Sequence, residues 1–214
     1  MVSRLDRGPV GSWWWTIDRW YLAAFLSLMV LGIVLSFAAS PAVATRIGLE
    51  PYHFVIRQII FMVPALIAMI GVSFLDERQI RRLAIVMLVG SLLLMLAALH
   101  FGVEVKGARR WITLMGISIQ PSEFMKPAFV IVCAWLFAEG ARQPDIPGNL
   151  LAMILLALAL TLLVAQPDLG QTMLLVATWG VMFFMAGLSW IWIIALGASA
   201  VGGLGAAYTV FPHV

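Results

Sequence analysis

A series of long apolar runs separated by short polar breaks limits what this chain can fold into more than any other feature. A helix that crosses the hydrocarbon core of a bilayer, about 30 Å thick, needs about 20 mainly apolar residues, because it rises about 1.5 Å per residue. Seven segments qualify, at approximately 21–42, 53–75, 83–101, 119–138, 150–165, 171–188 and 190–211. The uncharged stretch 169–214 is too long for one crossing, and the Gly187-Leu188-Ser189-Trp190 break divides it. Only 11% of residues are charged and 63% are hydrophobic, whereas an ordinary soluble domain has about 25% charged residues. A soluble fold is therefore excluded. The expected fold class is all-α, a polytopic transmembrane helix bundle of about seven spans. Residues 1–20 form a cytoplasmic or interfacial N-terminal segment and residues 21–214 one membrane domain.

The formal net charge of +3 comes from 13 basic and 10 acidic residues. The basic residues are scattered among apolar segments and make no continuous basic face, so nucleic acid is not an expected partner. Loops facing anionic membrane lipid account for them better. The single cysteine, Cys133, lies in an apolar run, which excludes an intrachain disulfide and a thiolate metal cluster and leaves a small buried hydrophobe. Arg4, Asp6 and Arg7 precede Trp13-Trp14-Trp15. The apolar run that follows is too long for a cleavable signal peptide and reads as a retained anchor. The three tryptophans, with Trp20 and Tyr21, suit an aromatic belt at headgroup level.

Short cytoplasmic loops are enriched in Lys and Arg. With the N-terminus inside, the inner side carries Arg4, Arg7, Arg19, Arg78, Arg81, Arg82 and Arg142, and the outer side carries Arg46, Arg57, Lys106, Arg109, Arg110 and Lys126. The margin is narrow, but three arginines in the very short segment 76–82 mark that loop as cytoplasmic and the loop after the third span as outer. Positive charge is thus concentrated around Lys106, Arg109 and Arg110 on the disfavoured side, where something anionic should compensate it.

Three polar segments carry the candidate chemistry. In Gln120-Pro121-Ser122-Glu123-Phe124-Met125-Lys126, Pro121 suits a first helical position because its missing N–H would be unpaired there anyway. Glu123 then falls in the first turn, favoured by the helix dipole, and Lys126 shares its face three residues on. Ionisable groups within a span cost about 2.5–3.5 kcal/mol each on insertion scales, so they normally face a protein interior or a water-filled path. One reading of the pair is a structural clamp between helices; the other is a polar pocket in which Lys126, Arg109 and Arg110 present cations to a phosphate-bearing ligand. The second segment, Gln166-Pro167-Asp168-Leu169-Gly170, breaks the fifth span from the sixth, and Asp168 there reads either as a helix cap or as part of the site. The third, Arg57-Gln58, lies one turn inside the second span, where an arginine must snorkel outward or find a partner such as Glu123 or a ligand phosphate.

Gly107-Ala108-Arg109-Arg110-Trp111-Ile112, Gln120-Pro121-Ser122-Glu123 with Lys126, and Gln166-Pro167-Asp168-Leu169-Gly170 together resemble the signature segments of the FtsW/RodA (SEDS) family. Arg57-Gln58 resembles its second span, and the 101–140 region is closer to the division branch than to the elongation branch. The resemblance implies a peptidoglycan glycosyltransferase in the bacterial inner membrane, at the division septum, that polymerises lipid II at the outer face. A sugar hydroxyl would attack the anomeric carbon of a second lipid II, and undecaprenyl pyrophosphate would leave. Glu123 and Lys126 match positions important for activity and are the catalytic candidates; Arg109, Arg110, Lys126, Glu123, Arg57 and Asp168 are the substrate-binding candidates. The resemblance further implies a class B penicillin-binding protein transpeptidase and other divisome proteins as partners. It allows an assisting divalent cation, with no ligand set visible and no other cofactor expected. Family members have about ten spans, and the proposed catalytic aspartate lies in an outer loop beyond residue 214, so inactivity of the isolated chain is expected. A lipid II flippase and a non-catalytic scaffold for the transpeptidase are the competing roles.

Overall fold

The computed structural model describes residues 8–105, 107–114, 116–143, 145–187 and 198, and the chain divides into two compact units, Met1–Glu77 and Arg78–Val214. The first unit holds α1 (Pro9–Thr16), α2 (Arg19–Arg46) and α3 (His53–Ser73). Asp18 caps α2 by accepting from the Trp20 and Tyr21 N–H groups at 2.9 and 3.3 Å, which satisfies two of the helix-start donors that have no intrahelical partner. The tryptophan-rich start forms α1. Trp13 Nε1 donates to Ser73 Oγ at 2.7 Å, its ring stacks on Phe74, and the Arg19 guanidinium lies over Trp14 and Trp15. In α2 and α3, Ser36 donates to the Gln58 side chain, and Gly32 leaves room for that amide, since a Cβ there would lie 3.2 Å from Gln58 Nε2.

The second unit holds α4 (Glu77–Phe101), strands β1 (Val103–Val105), β2 (Ala108–Leu114) and β3 (Ile117–Ile119), then α5 (Pro121–Arg142), α6 (Gly148–Ala165) and α7 (Leu169–Met185). The segment expected as an irregular outer loop is a small antiparallel sheet in the order β1-β2-β3. Its two-residue connections contain Gly107 and Gly116 at φ 78° and 81°, a left-handed conformation that glycine adopts without the steric cost of a Cβ. Val103 pairs with Trp111, and after an irregularity Glu104 pairs with Arg109.

Five described helices, α2 to α6, are long and apolar enough to span a bilayer. The sixth expected span is α7, which has 17 residues and ends before Gly187 at φ 84°, where the sequence places its break. The seventh expected span, and the small-residue face at Gly197, Gly202, Gly203 and Gly205 expected to lie exposed on it, fall outside the described residues. All-helical spans are the physical solution for a chain of this composition, because an unpaired backbone N–H or C=O costs several kcal/mol in hydrocarbon.

The core of the second unit gathers Leu88 and Met95 of α4, Phe129, Cys133 and Phe137 of α5, Leu156 and Leu163 of α6, and Leu175, Trp179 and Phe183 of α7. Apolar residues such as Val86, Leu93 and Met173 point outward, as suits helices whose solvent is lipid. Lipid tails are as apolar as leucine, so close packing rather than burial from water must hold such helices together. The α5–α6 contact shows how: Gly140 and Gly148 abut, and a Cβ on Gly148 would run into the Leu136 carbonyl oxygen. We expect Gly148→Leu to destabilise the second unit by about 1–3 kcal/mol, the usual range for overpacking. Gly90→Ala in α4, where an added methyl group meets open space, should stabilise by about 0.5–1 kcal/mol. Thermal unfolding of the two variants in one detergent checks both signs.

Candidate functional site

Four of the polar residues singled out in the sequence, Arg110, Glu123, Lys126 and Asp168, meet where α5 and α7 begin. Pro121 occupies the first turn of α5 and Glu123 lies in that turn. Lys126 Nζ is 2.9 Å from Glu123 Oε2, an i,i+3 ion pair. Pro127 follows, and because it has no N–H it leaves the Glu123 carbonyl without its usual helical donor. Gln171, one turn into α7, fixes both charged groups: its Nε2 donates to Glu123 Oε1 at 3.0 Å, and its Oε1 accepts from Lys126 Nζ at 2.6 Å.

Asp168 caps α7, its Oδ1 accepting from the Gln171 N–H at 3.4 Å. Its other oxygen lies 3.3 Å from Arg110 and 3.4 Å from Gln120 Nε2. Gln120 also donates to Ser122 Oγ. Two ion pairs, Arg110–Asp168 and Lys126–Glu123, are thus joined through Gln171, which is bound to one by its backbone and to the other by its side chain. Beneath them Gln166, almost fully buried, donates to the Met95 carbonyl at 3.0 Å and ties the α6–α7 turn to α4.

The alternation of β2 separates the two neighbouring arginines. Successive strand residues face opposite sides. Arg110 falls on the same face as buried Ala108 and reaches Asp168, whereas Arg109 faces out and pairs with Glu104 of β1 at 3.3 Å. Of the two arginines, Arg110 thus joins the network at the starts of α5 and α7, while Arg109 is paired within the sheet. The anionic compensation expected for the cations of this segment comes from the chain itself for the two arginines, Glu104 pairing with Arg109 and Asp168 with Arg110. Arg57 belongs to the first unit, where its guanidinium lies over Phe61 of the same helix. Lys106 lies outside the described residues.

Gln171 was not singled out in the sequence, although a signal for it is there. Asp168-Leu169-Gly170-Gln171 has the spacing of a capping box, with the cap residue and a Gln three positions later. Glu104 had no comparable signal, because its role follows from strand register, and for Gln120, part of a segment singled out above, the contact to Asp168 lies too far away in sequence to be read locally. Among the described residues no three His, Cys, Asp or Glu side chains cluster, and the two carboxylates at the site are already committed to cations. These residues do not fit a divalent ion, and no step is derived through one.

Chemically, the site offers two cations of differing freedom beside two helix N-termini, an arrangement suited to an anion. The Arg110–Asp168 pair is the fixed part, with the Asp168 side chain only 9% exposed. The Glu123 carboxylate is half exposed while Lys126 is mostly covered. We expect a double-mutant cycle on Arg110 and Asp168 to give a coupling of about 1–3 kcal/mol. The same cycle on the exposed Arg109–Glu104 pair should give no more than about 0.5 kcal/mol. Chemical unfolding of the single and double variants measures both.

Residues 18–214 match the family model for FtsW, RodA and SpoVE, described as cell cycle proteins. The chain is 44% identical over 213 residues to the probable peptidoglycan glycosyltransferase FtsW of Caulobacter vibrioides, covering 99% of this chain and 55% of that protein. It is 36% identical over 193 residues to the protein of the same description in Alkalilimnicola ehrlichii, covering 87% and 48%. Among solved structures, the rod shape determining protein RodA of Thermus thermophilus superposes with a TM-score of 0.70 at 27% identity, over 86% of this chain and 60% of that one. A chain from a peptidoglycan synthase complex that coordinates polymerization and crosslinking gives 0.62 at 28% identity, over 86% and 55%. The chain spans about half the length of these curated relatives.

Proposed function

This chain belongs to the FtsW/RodA/SpoVE family of cell cycle proteins, and from that premise we propose that it forms the pyrophosphate-facing part of a division glycosyltransferase that polymerises lipid II. The observation that carries the reading is the joined pair of ion pairs at the starts of α5 and α7. In the proposed reaction a sugar hydroxyl of one lipid II forms a bond to the anomeric carbon of another, and the bond from that carbon to the pyrophosphate oxygen breaks. Negative charge grows on the departing undecaprenyl pyrophosphate. Fixed cations and helix N-termini stabilise such charge most where water is excluded.

Within this scheme Asp168 orients Arg110, whose planar fork suits two phosphate oxygens. Lys126 supplies the mobile charge, turning from Glu123 toward the leaving group. Glu123 and Gln171 hold the ammonium in place before substrate arrives. Arg109 serves in this reading as a secondary contact to the lipid-linked chain. No described residue is assigned as the base that takes the hydroxyl proton.

The reading places the β1–β3 sheet on the outer face of the inner membrane and the N-terminus in the cytoplasm, at the division septum. A class B penicillin-binding protein is the proposed partner, supported by the likeness to a chain of a peptidoglycan synthase complex.

Binding of fluorescent lipid II to the chain in detergent tests the site directly. Lys126→Ala and Arg110→Gln should each weaken binding about tenfold, equivalent to about 1.4 kcal/mol, while Arg109→Gln should change it less than about twofold, as expected of an exposed charge. Equal binding by all three would refute the assignment. In the protein at the length of its relatives, reconstituted with its transpeptidase, Lys126→Ala should lower glycan polymerisation by on the order of 100-fold. Transbilayer movement of lipid II without polymer would instead favour a flippase.

A further inference from the structure

The second unit carries a separate cationic cleft at its other end. Arg78, Arg81, Arg82 and Ile85 of α4, with Trp135 of α5, line a cavity of about 240 Å³. Arg81 precedes Phe101, where the chain enters the sheet, by about 30 Å of helix rise, and Trp135 lies about 14 Å along α5 beyond Lys126. The cleft and the Glu123–Lys126 site therefore occupy opposite ends of these helices.

Three features make the cleft more than a basic loop. First, none of the three arginines forms an ion pair among the described residues, although Glu77 begins the same helix. At the opposite end Arg110 and Lys126 each have a carboxylate partner. Second, the Arg81 guanidinium lies 5.7 Å from the Trp135 ring centroid, which fixes one cation across two helices. Third, Trp135 Nε1 is buried and has no hydrogen-bond partner among the described residues, and a buried donor of this kind is costly to leave unpaired.

We propose that this cleft binds the phosphate headgroup of an anionic phospholipid. Guanidinium groups and an indole N–H are the donors that phosphate oxygens accept from, and arginine suits phosphate geometry better than lysine does. The adjoining surface selects a lipid over a free anion. Leu83, Ile85 and Val86 are exposed and apolar directly beside the arginines, so a ligand seated on the cleft meets charge at one end and a greasy helix face at the other. Basic groups next to a membrane helix attract anionic lipid. This site is independent of the lipid II reading, because it shares no residue with it.

Native mass spectrometry of the full chain in a neutral detergent tests the proposal. Dioleoyl phosphatidylglycerol is titrated against dioleoyl phosphatidylcholine, with inorganic phosphate as a competitor. The anionic lipid should bind about tenfold more tightly than the zwitterionic one, and Arg81→Gln with Arg82→Gln should remove that preference. Trp135→Phe keeps an aromatic ring under Arg81 but removes the five-membered ring with its N–H, so it should weaken the anionic lipid about threefold. Arg142→Gln, at the end of α5 and outside the cleft, should leave the preference intact. Equal binding of the two lipids would overturn the site. An Arg142→Gln effect as large as that of the cleft variants would reduce it to diffuse charge. Full displacement by phosphate at lipid-equivalent concentration would show that the ligand is the free anion.

Discussion

The ion pair between Arg110 and Asp168 holds together three elements: the β2 strand, the nearby start of α5 through Gln120, and the start of α7, distant in sequence, that Asp168 caps. An aspartate buried this deeply must be paired, since an ionised carboxylate without a partner is too costly to retain in a low-dielectric setting. Arg110 fills that need only because strand alternation turns it inward. Once Asp168 is fixed, the Gln171 backbone is fixed with it, and Gln171 in turn sets the positions of Glu123 and Lys126. The reactive-looking pair is thus positioned by a contact it does not itself make.

The surrounding helices obey a different constraint. In lipid they gain little from burying apolar surface against one another, and what holds them is close approach at small residues such as Gly140 and Gly148, together with a few polar ties. The Gln166–Met95 bond is one such tie, and it supports the floor of the site. In the first unit the Ser36–Gln58 bond beside Gly32 is another. Polar groups within the spans therefore do structural work even where they take no part in chemistry.

The spans were legible in the sequence because membrane thickness sets their length: the expected segment 53–75 became His53–Ser73, and 150–165 became Gly148–Ala165. Pro121 as a helix start, the Glu123–Lys126 pair and Asp168 as a cap followed from local rules that need only neighbouring residues. The sheet did not. Seven residues of β2 among long apolar helices gave little weight to an alternation of period two, and without that period Arg109 and Arg110 read as equivalent. The Arg110–Asp168 and Glu123–Gln171 contacts span 58 and 48 positions, a separation that local patterns do not encode. The tryptophans at 13–15 suit an interfacial belt, and their composition gives no sign that Trp13 stacks on Phe74 at the end of α3.

A lipid-linked pyrophosphate can meet Arg110 and Lys126 in the manner proposed only if the sheet beside them faces away from the cytoplasm. Ser118 of β3 is exposed, while the only native cysteine, Cys133, is buried, so a Ser118→Cys variant reports on that face alone. With a membrane-impermeant maleimide applied to intact spheroplasts, the account predicts labelling of this cysteine before any permeabilisation. Labelling that appears only after the membrane is opened would place the sheet in the cytoplasm and contradict it.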